Sequence, residues 1–301
     1  MAEQANFIAA DWGTTNLRLW VWQGGKCVWQ LNSDQGIRHY RRDTFPALWQ
    51  SLLARCPVPI QPDTRVIMSG MIGSERGWVT APYLDCPARL SSLAAHLWPV
   101  PDAGPWPVWI VPGLRVNEPD HYNVMRGEET QLYGSYAGPG IYLLPGTHSK
   151  WVSMADDKVI AIETVITGEL FQMMSAHSVL LPADIAQRRS PTAFAAGVAA
   201  ARQTVCLPRD IFSLRARMLC GALEPDLVQD LLSGLLIGHE IAAMASRFAL
   251  QPGAVIRLTG SAGLNERYCQ ALACLGFRAH CLDGESAFLS GIRRILNEHH
   301  R

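Results

Sequence analysis

The residues most able to do chemistry fall into a few short strings. The first is Asp11-Trp12-Gly13-Thr14-Thr15-Asn16. A carboxylate closes an apolar run, and a glycine and two hydroxyls follow it. Glycine lets an anion come close to the backbone. Turn amides and threonine hydroxyls donate to phosphate oxygens. Asp11 beside them suits Mg2+, a hard cation that takes oxygen ligands and keeps several waters. A plain β-turn with an Asx hydrogen bond explains the string equally well. The second string, Leu144-Pro145-Gly146-Thr147-His148-Ser149-Lys150, repeats the order. It is not a Walker loop, because G-x-x-x-x-G-K-[ST] occurs nowhere in the chain. One such turn carries little information. A hairpin turn accounts for each alone, but two of them, one opening each half, are much less expected by chance than one.

The third string, Leu258-Thr259-Gly260-Ser261-Ala262-Gly263, follows a strand and precedes a helix. Its small residues leave room for a flat nucleoside, and a helix N-terminus favours negative charge. An ordinary strand-to-helix turn has the same look. The fourth, Met125-Arg126-Gly127-Glu128-Glu129-Thr130-Gln131, sets two acids at a helix start. Dipole complementation alone accounts for acids there. In a substrate site, one of them would accept the proton of an attacking hydroxyl. Arg126 has the fork that grips a carboxylate at two points, and Arg76 is the second candidate for that role. Glu169, beside Thr167-Gly168, is a lesser candidate near a nucleotide.

These strings need elements to hold them. Apolar alternation and turn chemistry predict strands over 7–11, 17–22 and 27–31, a meander rather than a strand–helix start. A helix follows at 45–54 and a short buried strand at 65–68, which runs into the glycine-punctuated loop Ser69-Gly70-Met71-Ile72-Gly73-Ser74. Prolines between Pro99 and Pro119 suggest an irregular excursion around a strand at 108–111, before a helix at 128–136. Gly138-Pro139-Gly140 breaks the chain, so two lobes are expected, 1–138 and 139–301. The second lobe opens with strands at 141–144, 150–154 and 159–164. It continues mostly as helix, the longest at 226–248, with a strand at 255–259. A last helix, 287–298, is a candidate to pack back at the lobe junction.

The bulk composition narrows the function classes. The 301 residues are 49% apolar and 17% charged, a folded and not a disordered profile. Lys plus Arg is 26 and Asp plus Glu is 26, so no net field draws in nucleic acid or an acidic membrane. The N-terminal residues lack the pattern of a secretory signal, and no apolar run reaches the ~18 residues of a membrane span. A cytoplasmic protein is expected. The eight cysteines show no metal spacing, so free thiols are expected as well.

Taken in order, DWGTTNLRLW (11–20), SGMIGSERGW (69–78), MRGEETQ (125–131), LPGTHSKW (144–151) and TGELF (167–171) resemble the 2-dehydro-3-deoxygalactonokinase family. That family lies within the sugar kinase, heat-shock chaperone and actin superfamily. The resemblance covers most of the chain. It implies a two-lobed actin-like ATPase fold of the ribonuclease H-like α/β type, with mixed sheets flanked by helices and the active site in the interlobe cleft. It implies ATP and Mg2+, and transfer of phosphate to the 6-hydroxyl of 2-dehydro-3-deoxy-D-galactonate. By the same resemblance, Asp11 would organise Mg2+, with Gly13, Thr14 and Thr15 near the phosphates. Gly146, Thr147 and His148 would contact the β- and γ-phosphates, and Gly260, Ser261 and Gly263 would hold the adenosine. Ser69, Gly70, Met71, Gly73 and Ser74 would shape the sugar-acid pocket. Larger sugar kinases carry a Gly-Asp step where this chain has Gly127-Glu128, so the base is Glu128 or Glu129. Glu128 is favoured because it directly follows the glycine.

Three alternatives stay open at this stage. The acceptor could be another sugar or sugar acid on the same fold, or the gluconate-derived epimer. A nucleotide-binding switch or sensor is the reading from a different class. Homodimerisation is an expectation for soluble enzymes in general.

Overall fold

The computed structural model describes residues 6–182 and 184–299. In chain order it opens with β1 (Phe7–Trp12), β2 (Leu17–Gln23), β3 (Lys26–Ser33), α1 (Phe45–Leu53) and β4 (Arg65–Ser69). Short strands β5 (Tyr83–Asp85), β6 (Ala88–Arg89), β7 (Trp98–Pro99) and β8 (Val108–Ile110) follow. Then come β9 (Gly113–Glu118), β10 (His121–Met125) and α2 (Glu128–Ser135). The remainder is β11 (Gly140–Leu144), β12 (Ser149–Ala155), β13 (Lys158–Val165), α3 (Thr167–His177), α4 (Pro191–Ala201), α5 (Leu207–Leu219) and α6 (Val228–Arg247). It ends with β14 (Val255–Gly260), α7 (Ala262–Cys274), β15 (Arg278–Asp283) and α8 (Gly284–Glu298). Two compact units result. The first takes the described residues up to Pro139, Met154–Ile162 and those from Gly284 onward; the second takes Gly140–Ser153 and Glu163–Asp283. The terminal helix α8 therefore belongs to the first unit.

The first unit is built on a sheet in the order β3-β2-β1-β4-β8-β7. β1 lies antiparallel to β2 and parallel to β4, which is parallel to β8. β1 reads as one apolar run because both of its faces are covered, as is usual for an inner strand with parallel neighbours. Trp12 goes into the core against Phe45 and Trp49 of α1, and its indole donates to Gln35 O at 2.9 Å. Successive side chains on a strand point to opposite faces. Anchoring Trp12 therefore turns Asp11 the other way. On the sheet's other side, Trp20 meets Phe288 of α8 with ring centroids 5.4 Å apart.

The stretch expected to be an irregular excursion is ordered from Gly113 onward. β9 and β10 form an antiparallel hairpin, with β5 parallel to β9 on its far side. Leu114 and Val116 are buried while Asn117 and Glu118 are exposed, and Asp120 takes positive φ in the turn. The prolines obscured this alternation in the sequence. The hairpin matters for position, because its last residue, Met125, leads directly into Arg126 and Gly127.

The second unit repeats the arrangement, with β15-β14-β11-β12-β13 in sheet order and β11, β14 and β15 parallel. Leu143, Trp151, Ile256 and Leu258 pack from this sheet onto Phe194, Val198, Ile237, Ile241 and Tyr268 of the helices. By length and composition α6 could cross a membrane, but most of its apolar window is buried in this unit. The free-thiol expectation fails at one pair: Cys269 of α7 and Cys281 of the adjacent β15 form a disulfide, while Cys27, Cys56, Cys86, Cys206, Cys220 and Cys274 are free. A spacing of twelve residues gives no hint of that pairing, which arises because the helix lies on the strand.

Candidate active site

In the first unit the turn between β1 and β2 is closed by Gly13 N donating to Asn16 O at 2.9 Å. Its carbonyls are capped from the segment that follows β3. Gly36 N donates to Thr15 O at 3.0 Å, Ile37 N to Gly13 O at 3.0 Å and Arg38 N to Thr14 O at 3.2 Å. The carbonyls thus face protein, while Thr14 and Thr15 are exposed and their hydroxyls meet no protein partner among the described residues. A turn with spent acceptors and open donors suits an anion. Asp11 projects beside it, and Arg18 grips one of its carboxylate oxygens at 2.6 Å, leaving Oδ1 available. Burial raises the Asp11 pKa, and the Arg18 charge works against that rise. Among the described residues no cluster of three or more His, Cys, Asp or Glu could enclose a metal alone. The oxygen donors present, the free Asp11 oxygen and the turn's hydroxyls, are of the hard type that Mg2+ takes.

Three chain segments meet behind this turn. Gly70, just past β4, has φ +99°, and a Cβ there would lie 2.8 Å from Trp12 O. Gly127 has φ +112°, and its Cβ would lie 3.1 Å from Gly70 Cα. Both positions need glycine for conformation and for closeness. The result sets the start of α2 directly on the loop that leaves β4.

The two acids at that helix start have different environments. Glu129 is fully buried, and its Oε2 accepts the Gly127 amide at 2.7 Å. Its Oε1 lies 3.2 Å from both Ser69 Oγ and Thr130 Oγ1, and those hydroxyls are 2.7 Å apart. Burial, then the neighbouring Glu128 charge, pushes the Glu129 carboxyl up to about 7. Glu128 is partly exposed, with Oε2 accepting Arg126 N at 3.0 Å. Of the pair, Glu129 is closed off from solvent and Glu128 is not.

The loop expected to shape the substrate pocket forms a 3-10 turn, with Gly73 N donating to Gly70 O and Ser74 Oγ to Met71 O. Ser69 and Gly73 are buried, so Met71 and Ser74 offer its accessible surface. Met71, Glu75 and Arg76 line an open cavity of about 960 Å³, together with Thr14 of the first turn and residues of the 37–43 segment. Arg126 lies elsewhere. It is 7% exposed, stacked 4.1 Å from the Tyr83 ring centroid, and donates to Ala81 O at 2.8 Å.

In the second unit the turn after β11 exposes Thr147 and His148, with Gly146 partly exposed. Thr147 O accepts the Glu169 amide at 2.9 Å, and His148 Nε2 lies 2.5 Å from Glu169 Oε2. The turn is thus tied to the first turn of α3. A Cβ on Gly168 would come within 2.2 Å of Gly146 O, so glycine is required there. Beneath lies a network that the sequence reading missed. Glu240 of α6, 1% exposed, accepts from Trp151 Nε1 and Tyr268 OH, both at 2.8 Å, and Tyr268 OH lies 3.0 Å from Ser149 Oγ. The signal was an acid inside the apolar helix sequence LLIGHEIAA, since a buried carboxylate demands donors. Lys150 points inward and donates to Thr164 Oγ1 at 3.2 Å.

The third string is where β14 enters α7. Gly260 is buried, whereas Ser261, Ala262 and Gly263 are exposed at the start of a 13-residue helix. Asn265, also unforeseen, donates to Gly260 O at 3.1 Å and Leu282 O at 2.9 Å, joining the ends of β14 and β15. The Ser261 side chain makes no capping bond, so its hydroxyl is available.

Within each unit the strings therefore stand on shared supports. In the first, Thr14 lines the cavity with Met71, and Gly70 packs against Trp12 and Gly127, the residues next to Asp11 and Glu128. Gly146, Thr147, His148 and Glu169 adjoin in the second, with Gly260, Ser261 and Gly263 at the end of the sheet's next strand.

Residues 11–295 match the family model described as 2-keto-3-deoxy-galactonokinase. The chain is 39% identical over 296 residues to the 2-dehydro-3-deoxygalactonokinase of Escherichia coli strain K12, covering 97% of this chain and 98% of the relative. A crystal structure from Sinorhizobium meliloti, described as a candidate 2-dehydro-3-deoxygalactonokinase, superposes with a TM-score of 0.87 at 32% identity, over 97% of this chain and 98% of that one. At the level of fold alone, the ADPNP-bound activator of a 2-hydroxyisocaproyl-CoA dehydratase from Clostridium difficile matches with a TM-score of 0.51 at 10% identity, covering 98% of this chain and 96% of that one.

Proposed function

Since this chain belongs to the 2-keto-3-deoxy-galactonokinase family, with the mixed α/β fold of actin-like ATPases and sugar kinases, we propose that it moves the γ-phosphoryl group of ATP to the 6-hydroxyl of 2-dehydro-3-deoxy-D-galactonate. It is a phosphotransferase with an alcohol acceptor. The observation that carries the reading is kinship along nearly the whole chain with a relative named for this reaction. The open donors of both hairpin turns support it, because catalysis of phosphoryl transfer is mostly positioning and charge neutralisation.

In this reading the Thr14–Thr15 turn and the Gly146–His148 turn receive phosphate oxygens, and the Ser261–Gly263 helix start receives the nucleoside. The sugar acid takes the cavity beside Met71 and Ser74. Glu128, the accessible acid, accepts the proton of the 6-hydroxyl as the oxygen attacks phosphorus, and ADP leaves. Glu129 holds the base-bearing helix start in place from beneath. Mg2+, taken by the free oxygen of Asp11, would neutralise charge developing on the phosphates. We further place the enzyme in the cytoplasm, with α6 as a core helix.

A coupled ADP-release assay with Mg-ATP tests the reading against 2-dehydro-3-deoxy-galactonate, its gluconate epimer, galactose, glucose and glycerol. Turnover with the galactonate acid supports it. Silence on both acids with turnover on a neutral sugar would replace the acceptor, and silence on all with ATP bound would move the chain to the sensor class.

A further inference from the structure

The cavity of about 960 Å³ is lined by four arginines, Arg38, Arg41, Arg42 and Arg76, against two acids, Asp43 and Glu75. Their charges are not equally spent. Arg41 faces Asp43 at 3.4 Å. Arg38 Nε donates to the His39 ring and has no acidic partner among the described residues. Arg42 Nη2 is held by two neutral acceptors, Glu75 O at 2.5 Å and Thr80 Oγ1 at 3.0 Å, which orient the guanidinium without cancelling its charge. Arg76 has no hydrogen-bond or ion-pair partner among the described residues, and it is exposed on the cavity side of the 3-10 turn. The bond from Arg42 to Glu75 O puts the two guanidinium-bearing segments next to each other.

We infer that Arg76, with Arg42 oriented beside it, binds the carboxylate of the acceptor. The inference rests on the sugar-acid reading above and names the residues that choose an acid over a neutral sugar. Arg126 is enclosed: its Nη2 is spent on the Ala81 and Pro82 carbonyls and its guanidinium stacks on the Tyr83 ring, while its buried Nε and Nη1 meet no hydrogen-bond partner among the described residues. Arg76 and Arg42 stand in an open cavity, where a two-point grip on a carboxylate is available without rearrangement. Thr14 of the phosphate turn lines the same cavity. An acceptor anchored by its acid group at Arg76 is therefore held in the space that the phosphate turn also borders.

The test compares 2-dehydro-3-deoxy-D-galactonate with its C1 methyl ester, which keeps the 6-hydroxyl and loses the negative charge. Wild type should favour the acid in kcat/KM. Arg76→Ala should raise KM for the acid roughly 10- to 100-fold, bring the acid-to-ester ratio towards one, and leave KM for ATP within about twofold. Arg76→Lys should recover part of the preference. Arg115→Ala, which breaks an exposed pair with Asp85, serves as the neutral control. An unchanged acid KM and acid-to-ester ratio in Arg76→Ala and in Arg42→Met would overturn the inference while leaving the kinase reading intact. A rise in KM for ATP alone would also overturn it, by making the cavity a phosphate site. A wild type that phosphorylates the neutral sugars and neither acid would overturn the functional reading itself.

Discussion

Glu129 Oε2 accepts the amide of Gly127 at 2.7 Å, so a fully buried carboxyl latches the glycine that turns the chain into α2. The same carboxyl touches Ser69 at the end of β4 through its other oxygen. One side chain therefore fixes both the helix start that carries Glu128 and the loop that borders the cavity.

This latch makes stability depend on pH. The folded-state value of Glu129, about 7, lies above the 4.5 of an ordinary glutamate. Between those values the folded chain holds the proton more tightly than the unfolded chain. The stabilisation is complete below pH 4.5 and is lost as pH rises through 7, an effect of about 3 kcal/mol at most. Glu129→Gln keeps the shape and removes the titration. Thermal unfolding midpoints from pH 4.5 to 8 should decline in wild type and flatten in the variant; parallel curves would remove Glu129 as the cause.

Glu128→Gln should lower kcat by about 10²- to 10⁴-fold, the range for loss of a general base, with little change in KM for ATP. Its partly exposed position predicts little loss of stability. Turnover equal to wild type would take Glu128 out of the base role.

Gly168→Ala pushes a methyl against the Gly146 carbonyl in the second hairpin. The expected cost is about 1–3 kcal/mol, as for overpacking, with a raised KM for ATP and an unchanged KM for the sugar acid. Steady-state kinetics on both substrates separate these. A change confined to the sugar acid would contradict the phosphate role of that turn.

Glu240→Ala should strand the Trp151 indole and the Tyr268 hydroxyl in the core of the second unit. A loss of about 2–6 kcal/mol is expected, about 1–3 for each of the two buried donors left without an acceptor. Glu240→Gln, which keeps an acceptor for Trp151, should lose less. Denaturant unfolding measures both, and equal losses would mean that packing rather than hydrogen bonding sets the cost.

The elements nearest the chemistry were the most legible in the sequence. The apolar run that stops at Asp11 marks the end of β1 to within one residue, since the strand closes at Trp12, and α2 begins at Glu128, where glycine and two acids mark a helix start. Local chemistry writes such signals into adjacent residues. The hairpin β9–β10 was hidden by the prolines around it, and Glu240 by its apolar surroundings. The arginines at 38, 41 and 42 drew no attention, because exposed charge on an irregular segment reads as solvated surface.

By itself the sequence determined the two Gly-Thr turns, the glycine-marked strand ends and the kinship to a sugar-acid kinase family, since each of these is set by residues close together in the chain. Only the tertiary structure decided between like candidates. It buried Glu129 and left Glu128 accessible, and it enclosed Arg126 behind Ala81 and Tyr83 while leaving Arg76 open on the cavity. The physical reason is that reach and charge compensation depend on what packs against a side chain from distant parts of the chain. Neighbours in sequence with the same functional group can therefore end up with opposite capacities to act.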